Sequence, residues 1–253
     1  MSPGHRSSLR RRGRRAGRRS SLGRGPERGD AESRRSSMER RIEGLSAAVL
    51  AGGASSRMGR NKALLTVTER GREETIIART CRLLSRRFAE VQIIGGAFAP
   101  LPPGATRLVP DRLPGKGPLG GLYTALCTTR ADGVFLAACD MPFISVGVID
   151  ALLEYREVAA AEGKDAVVAR IGGRWQPLLA LYFRSSLPSL EALLSEGKLR
   201  FSDFLDRITL HSVAEAALCP SRIDLRAFFN LNTPHDLEIA QRLAQDALGR
   251  ETR

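Results

Sequence analysis

One short segment combines glycines, serines and basic side chains directly after an apolar stretch. It spans residues 50–62 and reads LAGGASSRMGRNK. Glycines let backbone N–H groups approach phosphate oxygens, and Arg57 and Lys62 add positive charge. The segment lacks the GK[ST] ending of a Walker A loop and the GxGxxG spacing of a dinucleotide-binding loop. It therefore predicts a phosphate-binding loop of another kind, with an ordinary glycine-rich turn as the alternative.

A carboxylate follows the most apolar stretch of the chain. Residues 134–139 (VFLAAC) lead straight into Asp140. A carboxylate at the end of a buried strand is costly unless it is hydrogen-bonded or bound to a metal. Mg²⁺ prefers one or two carboxylates together with phosphate oxygens and waters. Asp140 is thus a candidate metal ligand, and a helix N-cap is the alternative.

Two further segments carry weaker signals. Residues 114–122 (PGKGPLGGL) predict a rigid turn before a helix N-terminus, where anions bind, although a plain loop–helix junction fits equally well. Asn230 and Asn232 alternate, so both side chains lie on one face of an extended segment. Their amides could bind a polar ring or a phosphate, and a loop with a helix cap is the alternative.

These residues need a scaffold, and the first half of the chain alternates strand and helix. Apolar runs predict buried strands at residues 45–51, 91–94, 107–109 and 134–139. Three- and four-residue apolar spacings predict helices at residues 75–89, 119–129 and 146–160. This alternation is typical of a mostly parallel twisted sheet flanked by helices, a three-layer α/β/α fold.

The second half is less regular. It predicts strands at residues 166–170 and 177–183 around a turn at Gly172-Gly173, and a helix at residues 187–195. Short strands are predicted at residues 208–213 and 228–231, and a closing helix at residues 234–248 begins after Thr233 as its N-cap. No linker interrupts residues 45–248, so we expect a single domain.

The 50–62 segment resembles the signature loop LAGGxSxRMGxxK of the molybdenum cofactor nucleotidyltransferases. The similarity extends to GPLxGL at residues 117–122, DMP at 140–142 and NxNTPxDL at 230–237, and covers residues 47–243. The resemblance implies a fold like that of the nucleotide-diphospho-sugar transferases. It also implies the guanylyltransferase reaction, in which GMP from GTP is joined to molybdopterin and pyrophosphate is released.

The resemblance assigns roles to individual positions. It makes Lys62, Arg57 and Asp140 catalytic, with Asp140 holding Mg²⁺. The remaining assignments are a nucleotide-binding set and a pterin-binding set: Leu50, Ala51, Gly52, Gly53, Lys62, Asp111 and Asp140 for the nucleotide, and Asn230, Asn232, Arg174 and Gln176 for the pterin. GTP and molybdopterin are then the substrates. The resemblance also allows transient contact with proteins that insert molybdopterin or with molybdoenzymes. A phosphate nucleophile is already ionised at neutral pH, so the reaction requires no general base.

Three alternatives stay open. The cytidylyltransferase branch of the family usually has Ala-Gly where this chain has Gly52-Gly53. Other nucleotidyltransferases of the fold share the glycine loop but not the NxNTP segment. A non-catalytic nucleotide-binding protein is the third alternative. The chain also departs from the family at Gly95-Gly96, where a polar side chain is usual, and at residues 66–75, which are slightly long.

The N-terminal segment differs in composition from the rest. Residues 1–37 hold 12 Arg and contribute +9 of the net charge of +13. Their few large apolar residues predict a disordered tail. The tail could be an arm for nucleic acid or another anionic surface, an organellar transit peptide, or sequence upstream of a start at Met38. Nucleic-acid binding is not expected of the remaining chain.

Composition excludes several classes of protein. No apolar run reaches the 18 residues that a membrane span needs, and the N-terminus lacks the apolar stretch of a secretory signal. The four cysteines form no C-x-x-C pair, which favours reduced thiols and a cytoplasmic protein. With three histidines in the chain, a histidine-built zinc site is not expected.

Overall fold

The computed structural model describes residues 41–52, 62–69, 72–218 and 223–251. The tail predicted over residues 1–37 lies outside these residues. So do Gly53 and Arg57 of the predicted phosphate loop.

The described residues form strands and helices in the predicted alternating order. The strands are β1 (Leu45–Leu50), β2 (Thr66–Glu69), β3 (Arg72–Thr75), β4 (Val91–Ile94), β5 (Arg107–Val109), β6 (Gly133–Ala138), β7 (Ala166–Ile171), β8 (Arg174–Phe183) and β9 (Leu210–Ala214). The α-helices are α1 (Ile76–Leu84), α2 (Gly117–Thr128), α3 (Val146–Leu153), α4 (Arg156–Ala161), α5 (Leu187–Ser195), α6 (Phe201–Leu205), α7 (Glu215–Leu218) and α8 (Pro234–Glu251). Short 3₁₀ helices span Lys62–Leu64, Arg184–Ser186 and Leu225–Phe228.

Seven strands form one sheet in the order β5-β4-β1-β6-β8-β7-β9. Every strand runs in the same direction except β8, which is antiparallel to both β6 and β7. β2 and β3 form a separate antiparallel hairpin. The strand order changes direction beside β1, because the chain goes first to β4 and β5 on one side and then to β6 on the other. Sheets of this kind bind ligands at the carboxyl ends of the strands next to that reversal.

Helices cover both faces of the sheet, and this confirms the predicted three-layer fold. On one face, Ala47 and Val49 pack in a cluster with residues of α1, α3, α4 and α7. On the other face, Ala48 and Leu50 pack with residues of α2, α5 and α6. Successive residues of β1 thus point into different cores, as the pleat of a strand requires. Among the described residues, none of the helices is long and apolar enough to cross a membrane.

Several predicted elements differ from those observed. The short strand predicted at residues 228–231 is wrong: Asp224 accepts a hydrogen bond from the Arg226 N–H (3.0 Å) and so caps the 3₁₀ helix Leu225–Phe228. The helix predicted at residues 146–160 is two helices, α3 and α4. Residues 66–69 and 72–75 pair as the antiparallel strands β2 and β3, which sequence analysis did not predict although Thr and Val alternate in β2.

Asp165 joins the starts of β7 and β9 to the end of β8. Its carboxylate accepts hydrogen bonds from the N–H and hydroxyl of Thr209 (both 2.8 Å) and from the Ser185 hydroxyl (2.7 Å). Burial, the largest influence, raises the pKa of Asp165, but these hydrogen bonds together hold it below its ordinary value. A lowered pKa in the folded state stabilises the fold above the unfolded pKa, and that stability is lost as the pH falls through the folded pKa.

We therefore expect Asp165→Ala to lower the free energy of unfolding by about 1–2 kcal/mol at pH 7. The difference from the wild type should shrink as the pH falls below about 4, where the carboxylate becomes protonated. Urea unfolding at several pH values measures both effects. Asp206→Ala, which removes an exposed carboxylate, is the control. An equal and pH-independent loss in both variants would contradict this role of Asp165.

Candidate active site

The predicted nucleotide-binding residues that the structure describes meet at one edge of the sheet. The ladder continues past the strand ends there, since Ala51 N–H donates to Ile94 O (3.0 Å) and Cys139 N–H to Leu50 O (3.1 Å). A cavity of about 170 Å³ opens at this edge. Its lining comes from seven parts of the chain: Leu50, Ala51, Gly52, Lys62, Ile94, Asp111, Gly117, Pro118, Gly121, Ala138, Cys139, Asp140 and Leu178.

Gly52 and Gly95 form one wall of this edge through backbone contact. Gly95 has a φ of +74°, which side chains disfavour. A Cβ atom on Gly95 would lie 2.9 Å from the Gly52 Cα, which is closer than non-bonded carbon atoms approach in folded proteins. Glycine is thus required at position 95 by both backbone conformation and space. Gly52 is exposed and lines the cavity.

Asp111 is held in a fixed orientation after β5. Its Oδ1 accepts hydrogen bonds from the Leu113 N–H and from the Thr124 hydroxyl of α2, both at 3.0 Å. The Thr124 hydroxyl also accepts from the Arg112 N–H (3.0 Å). The carboxylate therefore ties the loop after β5 to α2. Sequence analysis missed Thr124, whose signal would have been a hydroxyl on the buried face of a helix.

Asp140 is a largely buried carboxylate at the end of β6. Burial raises the pKa of Asp140 above its ordinary value, while the Lys62 ammonium acts in the opposite direction. The Lys62 Nζ lies 4.0 Å from the Asp140 Oδ2, and the two side chains are 18% and 20% exposed. Few solvent molecules screen the pair, so the attraction is stronger than between surface charges.

Lys62 connects this edge to the C-terminal part of the chain. Its Nζ donates to the backbone oxygen of Leu231 at 2.5 Å and lies 3.5 Å from the Asn232 Oδ1. The Leu231 N–H in turn donates to the Asp140 backbone oxygen (2.8 Å). Residues far apart in sequence thus converge on one ammonium group. The structure brings together Lys62, Asp140 and Asn232, to which the resemblance assigned nucleotide-binding and pterin-binding roles.

The other predicted pterin-binding residues occupy different surroundings. Asn230 donates a long hydrogen bond to Phe228 O (3.4 Å), and its Oδ1 is buried without a hydrogen-bond partner in the described part of the chain. Arg174 is exposed at the start of β8, and the Gln176 amide donates to its backbone oxygen (3.4 Å). Neither side chain is among the described residues that line the cavity. Leu178, on the same strand, does line it and was missed by sequence analysis.

The donor atoms at this edge of the sheet limit which metal ion could bind. Within the described ranges, no group of three His, Cys, Asp or Glu side chains could hold a metal by itself. The Asp140 Oδ1, however, is buried and has no hydrogen-bond partner among those residues. Burial of such an oxygen costs free energy unless a cation or a hydrogen-bond donor contacts it. One carboxylate fits Mg²⁺ shared with phosphate oxygens and waters, and does not fit a zinc site.

Cys139 lines the cavity next to Asp140, and sequence analysis treated it as a buried thiol. Burial, and to a lesser extent the Asp140 charge, raises the pKa of Cys139 to about 12. A thiol with this pKa stays protonated at neutral pH and is a poor nucleophile. Cys139 is therefore a poor candidate for a reacting group in this cavity.

Known proteins of similar sequence indicate the family to which this chain belongs. Residues 47–211 match the family model of the MobA-like NTP transferase domain. A probable molybdenum cofactor guanylyltransferase from Pelotomaculum thermopropionicum is 38% identical over 79% of this chain and 93% of its own. Another protein of the same name, from Methanothermobacter thermautotrophicus, is 33% identical over 77% of this chain and 98% of its own.

A solved structure agrees with these relatives. The crystal structure of the molybdopterin-guanine dinucleotide biosynthesis protein A from Archaeoglobus fulgidus matches with a TM-score of 0.65 and 25% identity. The match covers 79% of this chain and 99% of that protein. The whole length of that protein therefore corresponds to the sheet and helices described here.

The contact between Gly52 and Gly95 gives a testable prediction. We expect Gly95→Ala to lower the free energy of unfolding by about 3 kcal/mol, because alanine disfavours this φ and its methyl group would clash with the Gly52 backbone. Gly173→Ala is the matched control, since Gly173 has a φ of +76° and open space around it. It should cost only about 1 kcal/mol. Equal losses in urea unfolding would contradict close packing of the two glycines.

Proposed function

This chain belongs to the MobA-like NTP transferase family, and we infer that it transfers GMP from GTP to molybdopterin. The products are molybdopterin guanine dinucleotide and pyrophosphate. The 38% identical relative, which the match covers over 93% of its length, carries the name of this activity. The protein is therefore a nucleotidyltransferase of molybdenum cofactor biosynthesis.

One observation supports this function most directly. An ammonium group and a buried carboxylate, Lys62 and Asp140, lie 4.0 Å apart beside a cavity at the carboxyl ends of parallel strands. Transfer of a nucleotidyl group requires neutralisation of phosphate charge and accurate placement of the reacting atoms. The pair offers one positive group for a phosphate and one carboxylate for a metal ion. We assign Lys62 and Asp140 as catalytic residues on this basis.

The nucleotide is proposed to lie along the loop after β1. Leu50, Ala51 and Gly52 would contact the base and phosphates through backbone groups, and Gly53 and Arg57 would continue the loop. Asp111, held by its hydrogen bond from Thr124, would contact the nucleotide from the opposite side of the cavity. The start of α2 at Gly117 lines the same cavity, and the positive end of the helix dipole favours a negatively charged ligand.

The reaction needs no proton acceptor on the enzyme. A phosphate oxygen of molybdopterin, ionised at neutral pH, attacks the α-phosphorus of GTP. The new P–O bond forms as the bond between the α-phosphorus and the α,β-bridging oxygen breaks, and pyrophosphate leaves with the negative charge. Lys62 would stabilise the charge that develops on the phosphate oxygens. The ammonium has three N–H donors, so it can contact a phosphate oxygen while it stays bound to the Leu231 carbonyl.

Mg²⁺ is the proposed cofactor, and Asp140 would hold it through the Oδ1 that has no hydrogen-bond partner among the described residues. When bound, the ion supplies charge neutralisation across the phosphate oxygens. Asp140 itself would fix the position of that charge relative to Lys62. The low exposure of both side chains limits competition from water.

The pterin substrate is proposed to approach from the C-terminal side of the cavity. Asn232 lies beside Lys62, and Asn230 carries a buried oxygen that can accept a hydrogen bond from a ligand. Arg174 and Gln176 lie at the start of β8, where Arg174 pairs with Ile171 of β7. Because β8 is antiparallel to β6, this start points toward the carboxyl end of β6. These four residues are the proposed pterin-binding set. Their polar groups suit a ring with alternating donors and acceptors.

The proposed location is the cytoplasm. Cys81, Cys127 and Cys139 are free thiols, and burial raises the pKa of Cys81 to about 12. Thiols that remain reduced are usual in a reducing compartment.

Nucleotide selection tests the proposed function. The full chain, supplied with Mg²⁺ and molybdopterin, should release pyrophosphate with GTP and much more slowly with CTP, ATP or UTP. Release should require molybdopterin, and Asp140→Asn should reduce it by about a hundredfold or more, because the variant loses the carboxylate charge that holds the metal. Preference for CTP would instead indicate a cytidylyltransferase. No release with any nucleotide from folded protein would overturn the proposal.

A further inference from the structure

Asp236 lies on the first turn of α8 and is absent from the described residues that line the cavity. Its Oδ2 nevertheless accepts two backbone hydrogen bonds, from the N–H groups of Asn232 and Thr233, each at 2.7 Å. These bonds lower the pKa of Asp236, with the Asn232 N–H as the largest cause. The carboxylate thus remains ionised and keeps both donors at neutral pH.

The bond from Thr233 is the usual capping interaction of a helix. Thr233 is the N-cap residue, and its hydroxyl accepts from the Asp236 N–H (3.2 Å) while Asp236 accepts from the Thr233 N–H. This reciprocal pair is a capping box. The bond from Asn232 comes from one residue upstream of the cap, so it is not part of the capping box. It therefore calls for a different explanation.

The Asn232 N–H shares a peptide group with the Leu231 carbonyl. Because the peptide group is planar, a hydrogen bond that fixes the N–H also fixes the direction of the C=O. That carbonyl oxygen accepts the 2.5 Å hydrogen bond from the Lys62 Nζ. A bond to the N–H also polarises the amide and strengthens its carbonyl as an acceptor. Asp236 thus acts on Lys62 through one peptide group.

The other side of Leu231 is bound to the second charged residue of the site. Its N–H donates to the Asp140 backbone oxygen at 2.8 Å. Leu231 is fully buried, so its backbone has little freedom to move. One residue therefore connects Asp236 to both Lys62 and Asp140, whose charged atoms lie 4.0 Å apart.

We propose that Asp236 is a positioning residue for the transfer reaction: its hydrogen bond to the Asn232 N–H orients the Leu231 carbonyl, which sets the place of the Lys62 ammonium relative to Asp140. This inference rests on the proposed function, because it assigns to Lys62 a role in phosphate transfer. Asp236 makes no contact with the reacting groups in this account.

A double-mutant cycle tests the proposal. Asp236→Ala should lower kcat with GTP and molybdopterin by about tenfold and change KM for GTP by less than about twofold, since misplaced charge affects the transition state more than binding. Lys62→Met should lower kcat by about a hundredfold. In the Lys62→Met background, Asp236→Ala should change kcat by less than about twofold, because both substitutions act through the same ammonium group.

Thr233→Val is the matched control. It removes one capping hydrogen bond at the same helix terminus but leaves the Asn232 N–H bound to Asp236. Its kcat should remain within about twofold of the wild type. Equal losses of kcat in Thr233→Val and Asp236→Ala would overturn the proposal and leave a helix cap. Full additivity of Asp236→Ala and Lys62→Met in kcat would overturn it too.

A second cycle uses urea unfolding and does not depend on activity. Asp236→Ala and Lys62→Met together should shift the unfolding midpoint by less than the sum of their separate shifts, whereas Thr233→Val and Lys62→Met should add. Wild-type protein without transferase activity would refute the proposed function, while this cycle would still decide whether Asp236 acts on Lys62. Additive shifts in both pairs would refute the connection.

Discussion

The change of direction in strand order beside β1 is the constraint on which the site depends. Both faces of β1 are buried, with Ala47 and Val49 under one helical layer and Ala48 and Leu50 under the other. The chain leaves β1 at its carboxyl end. Before α2 it forms β4 and β5 on one side of β1, and after α2 it forms β6 on the other side. Neighbouring connections then diverge and leave a crevice that none of the described helices fills. The cavity at Gly52 and Asp140 is that crevice.

The crevice alone would not produce a charged site, and the C-terminal segment supplies the missing part. Lys62 and Asp140 come from opposite sides of the strand reversal, and the Leu231 backbone binds both. The Lys62 ammonium, 4.0 Å away, offsets part of the cost of burying the Asp140 carboxylate, although burial still raises the pKa of Asp140. The energetic cost of Asp140 is thus part of what prepares the site to receive a metal ion and a phosphate.

Much of this arrangement can be predicted from sequence because local signals coincide with it. β4 and β5 end where predicted, since Gly95 and Pro110 follow directly after their apolar runs. Asp140 could be identified because a carboxylate after six apolar residues is unusual. The hairpin at residues 66–75 had a readable alternation of Thr and Val that was overlooked. The break between α3 and α4 had no local signal: Tyr155, at the break, stacks on His211 of β9 with ring centres 5.0 Å apart.

The contacts that unite the site cannot be predicted from sequence alone. Nothing in the local pattern indicates that the Lys62 ammonium binds the Leu231 carbonyl, because the two are separated by 169 positions. Nor does the NxNTPxDL pattern reveal that Asp236 holds the Asn232 N–H as well as the helix cap. Such interactions follow from the packing of α8 and the segment before it, where Leu231 packs with Ile76 of α1 and with Ala240. Tertiary packing therefore determines the geometry of residues whose identities the sequence already suggests.

The central claim is that the phosphates of GTP bind between Lys62 and a metal ion held by Asp140. The most direct test is a crystal structure of the full chain with Mn²⁺ and a GTP analogue that resists cleavage between the α- and β-phosphates. The account predicts anomalous scattering from Mn²⁺ beside the Asp140 carboxylate and the Lys62 Nζ within hydrogen-bonding distance of a phosphate oxygen. A triphosphate bound away from Lys62, or a metal ion without Asp140 as a ligand, would contradict it.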